Sequence, residues 1–542
     1  MFIGNDLSNI NFLLNQQFGW RTAEASHYPT NRIARQYTCH EPDRLPVEAF
    51  QLPSKPVVDR LLRAYFTHIN PGFPVVDEDL FMGQYRAKDP QNPPSLLLLH
   101  AILVAGAHVL YEQPERETYK AMFFRRAKAL FDARFERNRD TIVQAALLLT
   151  WHADGPEDVA ANAWFWLGLA IRTAIGLGLH MDAEKSNLVP HNKRMWRRVW
   201  WLLFQCDVLL ALQYGRPQAI NPEDCDVQRV KPSDFQDCGA GVRIDHVIHT
   251  TELCVVISRA MRSRLQGRDN SDAWRDALQQ TDGALANWSF HLPAELHLHT
   301  SPGLDVWTAV LQLHYHTALI LLHRPRPNKF STKTSPEDVD ICTTAATAIQ
   351  QIFQFLCEKD EIKVLWTSSI NCLFTALIQL AVEIRMSNPV LAVSALRKFD
   401  SALFSFRRLA DYWPNAQSIL HFFENSMRQQ PGGPSSFERP TDHIDIVHSP
   451  ITYTQSASKG ISKETQQISR SQELGGMPLE NQIRADQLVE EDSQLLNALE
   501  RPSSVMGRLA RTDGLDLLES WQEWQQLYWQ QPESTEDLLF TF

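Results

Sequence analysis

The sequence predicts an all-α fold, a large irregular multi-helix body followed by a disordered C-terminal tail, and three observations carry that reading. Apolar residues recur at helical spacing through residues 54–427, in segments separated by Pro and Gly. Strand signals are poor: few stretches alternate apolar and polar residues, and no Asn-Gly or Asp-Gly turn lies between alternating runs. At Gln429 the composition shifts, and Pro431-Gly432-Gly433-Pro434 opens a stretch rich in Ser, Thr, Gln and Pro. Such a stretch buries too little apolar surface to offset the entropy of ordering it.

Residues 1–53 read as irregular, with a helical turn near 8–17 and a loop carrying Pro29, Pro42, Pro46 and Pro53. The body then predicts helices over 54–69, 95–111 and 115–135, the last with Tyr119, Met122, Phe123, Ala127, Leu130 and Phe131 at helical spacing. Asp140 is the expected N-cap of 141–151. The apolar segment 156–179 has Gly176 and Gly178 near its end, where a helix stop belongs. Segments 192–214, 242–266, 269–289, 301–323, 336–357, 362–386 and 390–411 complete the series, and no fixed-period repeat suggests a solenoid. Four regions follow: the irregular start 1–53, the helical body 54–427, a disordered linker 428–486 and an acidic, aromatic-rich tail 487–542.

Of 542 residues 44% are hydrophobic, enough for a core, and the net charge is −11. Residues 431–542 hold 18 acidic and 8 basic residues; the rest of the chain holds 45 and 44. Neither part has the basic footprint of an autonomous nucleic-acid binder. The eight cysteines (39, 206, 225, 238, 254, 342, 357, 372) lie at least thirteen residues apart, with no zinc-ligand spacing, so buried free thiols in a reducing compartment are expected. The start has no basic n-region, so no signal peptide is expected. The most apolar run, 95–111, is shorter than the ~20 residues of a membrane span and contains His100 and His108, so a buried core helix and no membrane partner are expected.

Within 192–214, Trp196, Trp200, Leu203, Asp207, Leu210 and Tyr214 share one helical face and Trp201, Phe204, Val208 and Ala211 a second, leaving Arg194, Arg198 and Gln205 on the remainder. Asp207 on an apolar stripe calls for a partner, and Arg172 and Arg216 are the candidates. Gly215-Arg216-Pro217 stops the helix. Glu223, Asp224 and Asp226 suggest a metal cluster, but no second cluster completes one, so a solvated loop with capping acids is the better reading. Signatures of hydrolases, zinc proteases, P-loops and dinucleotide folds are missing, and His314 and His316 fall on different faces. No enzyme is expected.

Four pieces in order carry a resemblance. They are AYFTHINPGFPVVDEDLF (64–81, with Phe73, Pro74 and Phe81), AIRTAIGLGLH (170–180, with Arg172, Gly178, Leu179 and His180), the run RRVWWLLFQCD with the following G-R-P and D-C-D-V (Arg197, Trp200, Trp201, Asp207, Gly215, Arg216, Pro217, Asp226), and HYHTALILLHRP (314–325, with His323, Arg324 and Pro325). Together they resemble the fungal-specific transcription factor domain, the regulatory middle region of fungal zinc binuclear-cluster regulators. The opening IGNDLSNINFLL resembles more weakly the cutinase and fatty-acid-catabolism branch. The resemblance implies a nuclear regulator of RNA polymerase II genes, of lipid or secondary metabolism, with a helical domain open to a small-molecule effector.

Family members usually begin with a six-cysteine zinc module that reads DNA, whereas Cys39 alone precedes residue 200 here. Zinc is therefore expected only if a cysteine module lies upstream of this sequence, through a truncated gene model or an alternative start. Otherwise DNA is reached through a partner, and the alternative reading is a helical corepressor that titrates a full-length relative. From Asp513 to Phe542 there are seven acids and no base, interleaved with Leu517, Trp521, Trp524, Tyr528, Leu538 and Phe540. Acids keep such bulky groups soluble and open to a coactivator groove, so this tail is the candidate contact with the transcription machinery.

Overall fold

The computed structural model describes residues 45–87, 89, 92–153, 162–266, 271–298, 304–324, 336–384 and 389–428. The expected turn near 8–17, Pro325, the linker and the acidic tail lie outside these residues. Within them the chain forms fourteen α-helices and no strand. In chain order they are α1 (Lys55–His68), α2 (Glu78–Ala87), α3 (Leu96–Leu110), α4 (Glu115–Asp132), α5 (Arg139–Leu149), α6 (Ala163–Leu177), α7 (Pro190–Tyr214), α8 (Ile244–Gln266), α9 (Ser271–Phe290), α10 (Val306–His323), α11 (Pro336–Glu358), α12 (Ser369–Ile384), α13 (Pro389–Ala410) and α14 (Pro414–Arg428).

Two helices form the axes of the core. α3 is apolar on every side and is buried from Leu96 to Val109, because α1, α4 and α5 surround it. α7 is buried without a break from Met195 to Ala211, against α5, α6, α8 and the short 3-10 turn Pro232–Phe235. Helices α10 to α13 pack on one another in sequence, and α8 joins them to α7. One continuous hydrophobic cluster runs through all of these elements.

Several local expectations change. The N-cap of α5 is Asn138, whose side chain accepts from the Asp140 amide at 3.1 Å. Asp140 instead accepts from Trp196 Nε1 at 3.1 Å, and burial pushes its carboxyl up to about 6. α2 and α14 were not expected as helices. α2 is ten residues long and buries only Phe81 and Tyr85, too short a pattern to show a period. α14 follows α13 after three residues, with Pro at its first position. α10 starts at Val306, not 301, because Asp305 caps it by accepting from the amides of Trp307 and Thr308 at 3.2 and 3.4 Å. Residues Ile362–Val364 form a 3-10 turn ahead of α12.

Candidate functional site

The sequence-selected residues converge on α7. Arg197 and Arg198 are consecutive, so their side chains leave the helix about 100° apart. Arg198 has no exposed side-chain surface. Its Nε donates to the Pro74 carbonyl at 2.9 Å, its Nη1 donates to the Asp234 carbonyl at 2.8 Å, and its Nη2 pairs with Asp77. Arg197 donates through Nη1 to Asp234 Oδ1 at 2.7 Å and through Nη2 to Glu184 Oε1 at 2.5 Å. The Arg197 hydrogen bond holds the half-exposed Glu184 carboxyl below its ordinary value. Asp234 also accepts from the Lys231 amide at 2.9 Å, closing the 3-10 turn that carries it.

This clamp fixes the Asn70–Pro74 turn. Phe73 stacks on Trp366 at 6.2 Å between ring centroids and meets Trp151 edge-on at 6.0 Å. Tyr65 Oη donates to Asn70 Oδ1 at 3.1 Å, and Gln144 donates to the Val75 carbonyl at 2.8 Å. A Cβ on Gly72 would stand 2.0 Å from the Trp307 ring, so the turn admits only glycine there. Phe81 packs on Phe66 at 6.1 Å.

The second piece caps α6 and docks on α7. Gly178 takes φ +93°, Leu179 is buried, and the His180 ring lies 5.8 Å from that of Trp200. The His180 carbonyl accepts from the Val227 amide at 3.2 Å, and the exposed Asp226 accepts from the Asp182 amide at 2.5 Å. Arg172 is exposed. At the other end of α7, Gly215 takes φ +63°, and the Arg216 guanidinium lies over Tyr214 (4.7 Å) and Trp164 (5.1 Å). Pro217 is exposed. Trp201 Nε1 donates to the Gln228 carbonyl at 2.8 Å.

Asp207 is buried, but neither arginine pairs with it. Its two oxygens accept from the backbone amides of Ala219 (3.1 Å) and Ile220 (2.8 Å), so it pins the loop after α7. Burial still pushes its carboxyl up to about 6. The face of α7 expected to be open is covered as well: Gln205 donates to the Val247 carbonyl and to Thr251, at 3.0 and 2.7 Å. His323 stands apart from this hub, between Asp338 (2.8 Å) and Asp282 (3.2 Å), and Arg324 is exposed. Asp77, Asp234 and Glu184 escape sequence reasoning, since nothing local marks them as partners of arginines far along the chain.

Beside the clamp opens a polar cleft of about 750 Å³, lined by Glu78, Asp79, Arg243, Asp305, Trp307 and Glu361 among others. Arg243 and Asp305 pair across it at 2.7 Å, and Gly239 approaches the Glu78 carboxylate closely at φ +84°. Every described cysteine is free, and burial raises its pKa, so none is an activated thiolate. Among the described residues no group of three His, Cys, Asp or Glu could hold a metal ion. These residues therefore do not fit the two-zinc cysteine cluster of the resembled regulators. No described helix is long and apolar enough to cross a membrane.

Residues 62–239, from α1 through the 3-10 turn that carries Asp234, match the fungal specific transcription factor domain. The chain carries that domain. Its relatives include acetamidase regulatory proteins of Aspergillus fumigatus, 51% identical over 433 residues (79% of this chain and 56% of the relative), and of Emericella nidulans, 49% identical (79% and 54%). Cutinase transcription factor 1 alpha of Fusarium vanettenii is 31% identical over 458 residues, covering 77% of this chain and 49% of the relative. The chain thus spans about half the length of these curated relatives. The cutinase likeness read from the N-terminus is present, and the acetamidase regulators share more identity. Within the domain, the clamp joins pieces from both ends of the matched region, the Phe73-Pro74 turn and Asp234, through one helix.

Proposed function

We propose that this chain regulates RNA polymerase II transcription in a fungal nucleus, without enzymatic activity, and that its helical domain is the regulatory part. The observation that carries this reading is the fungal specific transcription factor domain over 62–239, with 49–51% identity to acetamidase regulatory proteins extending over 79% of the chain. By that identity, acetamidase-type genes are the inferred targets. DNA contact comes through a zinc module outside these residues or through a partner. A small polar effector would be taken in the cleft of about 750 Å³, whose carboxylates, ion pair and Trp307 ring form a mixed lining. The tail, through Leu517, Trp521, Trp524, Tyr528, Leu538 and Phe540, recruits a coactivator.

Deleting the gene and measuring acetamidase mRNA on acetamide tests the assignment: induction is lost, and unchanged induction overturns it. Residues 513–542 fused to an unrelated DNA-binding domain activate a reporter. Trp521→Ala with Trp524→Ala abolishes that signal while Gln525→Ala with Gln526→Ala keeps it, and a silent fusion refutes the role given to the tail. The near-neutral body also supports a second reading, a partner protein that titrates a full-length relative. Chromatin occupancy of the tagged chain separates the two, since a titrating partner leaves target promoters when that relative is deleted.

A further inference from the structure

Between α1 and α2 opens a groove of about 370 Å³, within the size range of small-molecule sites. α1 brings Lys55, Asp59, Arg63 and Phe66 to it, and α2 brings Glu78, Met82 and Arg86, so one helical stripe of each forms a wall. Phe66 and Tyr85 are buried and form an apolar floor with Met82. The walls are tied together by the packing of Phe66 on Phe81 and by the Tyr85 hydroxyl, which donates to Asp59 Oδ1 at 2.6 Å. The other oxygen of Asp59 pairs with Lys55 at 3.5 Å, so this acid is fully engaged. Glu78 closes one end of the groove with its carboxylate against Gly239. Burial and then Asp79 raise the Glu78 carboxyl, and Arg86 offsets them only in part. Arg63 and Arg86 are exposed and enter no ion pair among the described residues, although two carboxylates line the same groove. Arg194, Arg243 and Arg407, by contrast, each close on a neighbouring carboxylate, at 2.6, 2.7 and 2.9 Å.

We propose that this groove binds a small organic monocarboxylate with an apolar body, the head held by Arg63 and Arg86 and the body laid on Phe66, Met82 and Tyr85. The head follows from the geometry of the guanidinium, whose parallel N–H groups match the two oxygens of a carboxylate. The single charge follows from the lining. Lys55, Arg63 and Arg86 face Asp59 and Glu78, which leaves one positive charge for the ligand to neutralise. A phosphate dianion exceeds that balance. The apolar body follows from the floor, which a bare inorganic ion leaves in contact with water. Both arginines already stand in solvent, so taking up a ligand does not require drawing them out of the core. The groove is distinct from the effector cleft. The two share Phe66, Thr67 and Glu78, while Asp79, Arg243, Asp305 and Glu361 belong to the cleft alone. Binding here goes beyond the effector reading and stands whether or not the chain regulates transcription.

The test is calorimetric titration of the purified full chain at neutral pH, with phenylpropionate and isocaproate as probes. Saturable binding of at least one is expected, with a dissociation constant of about 0.1–1 mM for one charge-assisted head and a partly covered body. Arg63→Ala and Arg86→Ala each weaken it by about tenfold, as the loss of charge-assisted hydrogen bonds does. Both variants keep the wild-type melting temperature, since both side chains are exposed. Met82→Ser weakens phenylpropionate several-fold and leaves acetate, which has no body to lay on the floor, unaffected. Phenylpropionamide, the same body without the charge, binds at least about tenfold more weakly. The proposal is overturned if neither probe binds up to about 10 mM, if the amide binds as well as the acid, or if either arginine variant binds undiminished. Acetate or inorganic phosphate bound as tightly as phenylpropionate would also overturn it, by showing a bare anion site. The readout involves no transcription, so it fails separately from the functional assignment.

Discussion

Replacing Asp207 with alanine separates two opposed energies that meet in one buried carboxylate. The substitution removes the acceptor of two amides, Ala219 at 3.1 Å and Ile220 at 2.8 Å. An amide left unsatisfied costs about 1–3 kcal/mol, so the pair costs about 2–4, the Ala219 amide being nearer the surface. The substitution also removes a carboxylate that the fold disfavours. With its pKa at about 6 against 3.8 unfolded, the folded state holds a proton that the unfolded state releases, so this group's contribution is best below pH 3.8 and deteriorates as pH rises through 6. The difference amounts to ~3 kcal/mol at pH 7 and ~1.6 at pH 5. At pH 7 the two effects nearly cancel, unlike an ion pair, whose breakage would cost about 3–5 kcal/mol. At pH 5 the lost amide bonds dominate. Urea midpoints of wild type and Asp207→Ala, compared at both pH values, therefore show a deficit that grows by about 1 kcal/mol toward pH 5. Taking the difference removes the contribution of every other titrating group. The exposed Asp224→Ala stays within about 0.5 kcal/mol at both pH values. A deficit that is constant, or that shrinks toward pH 5, refutes the account of Asp207 as a desolvated amide cap.

Further outcomes follow from the same packing. Arg198→Ala strands the Asp77 carboxylate and two carbonyls inside the core and lowers stability by about 3–5 kcal/mol; a loss under 1 kcal/mol by chemical denaturation would show the clamp to be idle. Gly72→Ala forces the Trp307 ring away and destabilises by about 1–3 kcal/mol, whereas Gly168→Ala inside α6, with nothing within 4 Å of the new methyl, raises the melting temperature by the equivalent of about 0.5–1 kcal/mol. Burial holds His100 and His314 down at about 3, His246 at about 4 and His108 well below its ordinary value. Each stays neutral in the fold while the unfolded chain protonates, so below pH 6.5 stability falls by about 1.4 kcal/mol per pH unit for each histidine, outweighing the gain at Asp207; equal urea midpoints at pH 7.5 and 5.5 would contradict this.

Helices that are apolar over much of their surface were legible because their burial is written in their own residues. α3 and α7 are the clearest cases, and Gly178 and Gly215 mark the stops of α6 and α7 through the left-handed backbone that glycine accepts. α2 was not legible, because its two anchors, Phe81 and Tyr85, make a single i, i+4 pair. The site divides the same way. The positions of Phe73, Pro74, Arg197 and Asp207 were marked by resemblance, but their partners were not. Arg198 reaches Pro74 across 124 residues and Asp77 across 121, and no local pattern encodes such a pairing. Arg198 and Gln205 read as a solvent face because charge and amide groups usually lie there. The fold instead covers that face with acceptors, the Pro74, Asp234 and Val247 carbonyls, the Asp77 carboxylate and the Thr251 hydroxyl, so the guanidinium and the amide are buried with donors satisfied.

Three of the motif residues have their hydrogen bonds taken up inside the fold, and that bears on where an effector of the kind proposed would act. Arg198 spends its hydrogen bonds on Pro74, Asp77 and Asp234, Asp207 spends its oxygens on two amides, and His323 spends both ring nitrogens on carboxylates. None of them offers a partner an open position. Yet the segments they clamp have a second side. Asp77 is followed directly by Glu78 and Asp79, which line the cleft, and Pro71 in the same turn accepts from the Arg243 amide on the opposite wall at 2.8 Å. An effector of the kind proposed for the cleft would meet groups one residue away from those held by Arg198. It shifts an equilibrium only as far as it prefers one arrangement of that turn over another. Any arrangement that parts Asp77 from Arg198 would be costly, because it leaves a charge unpaired in the core.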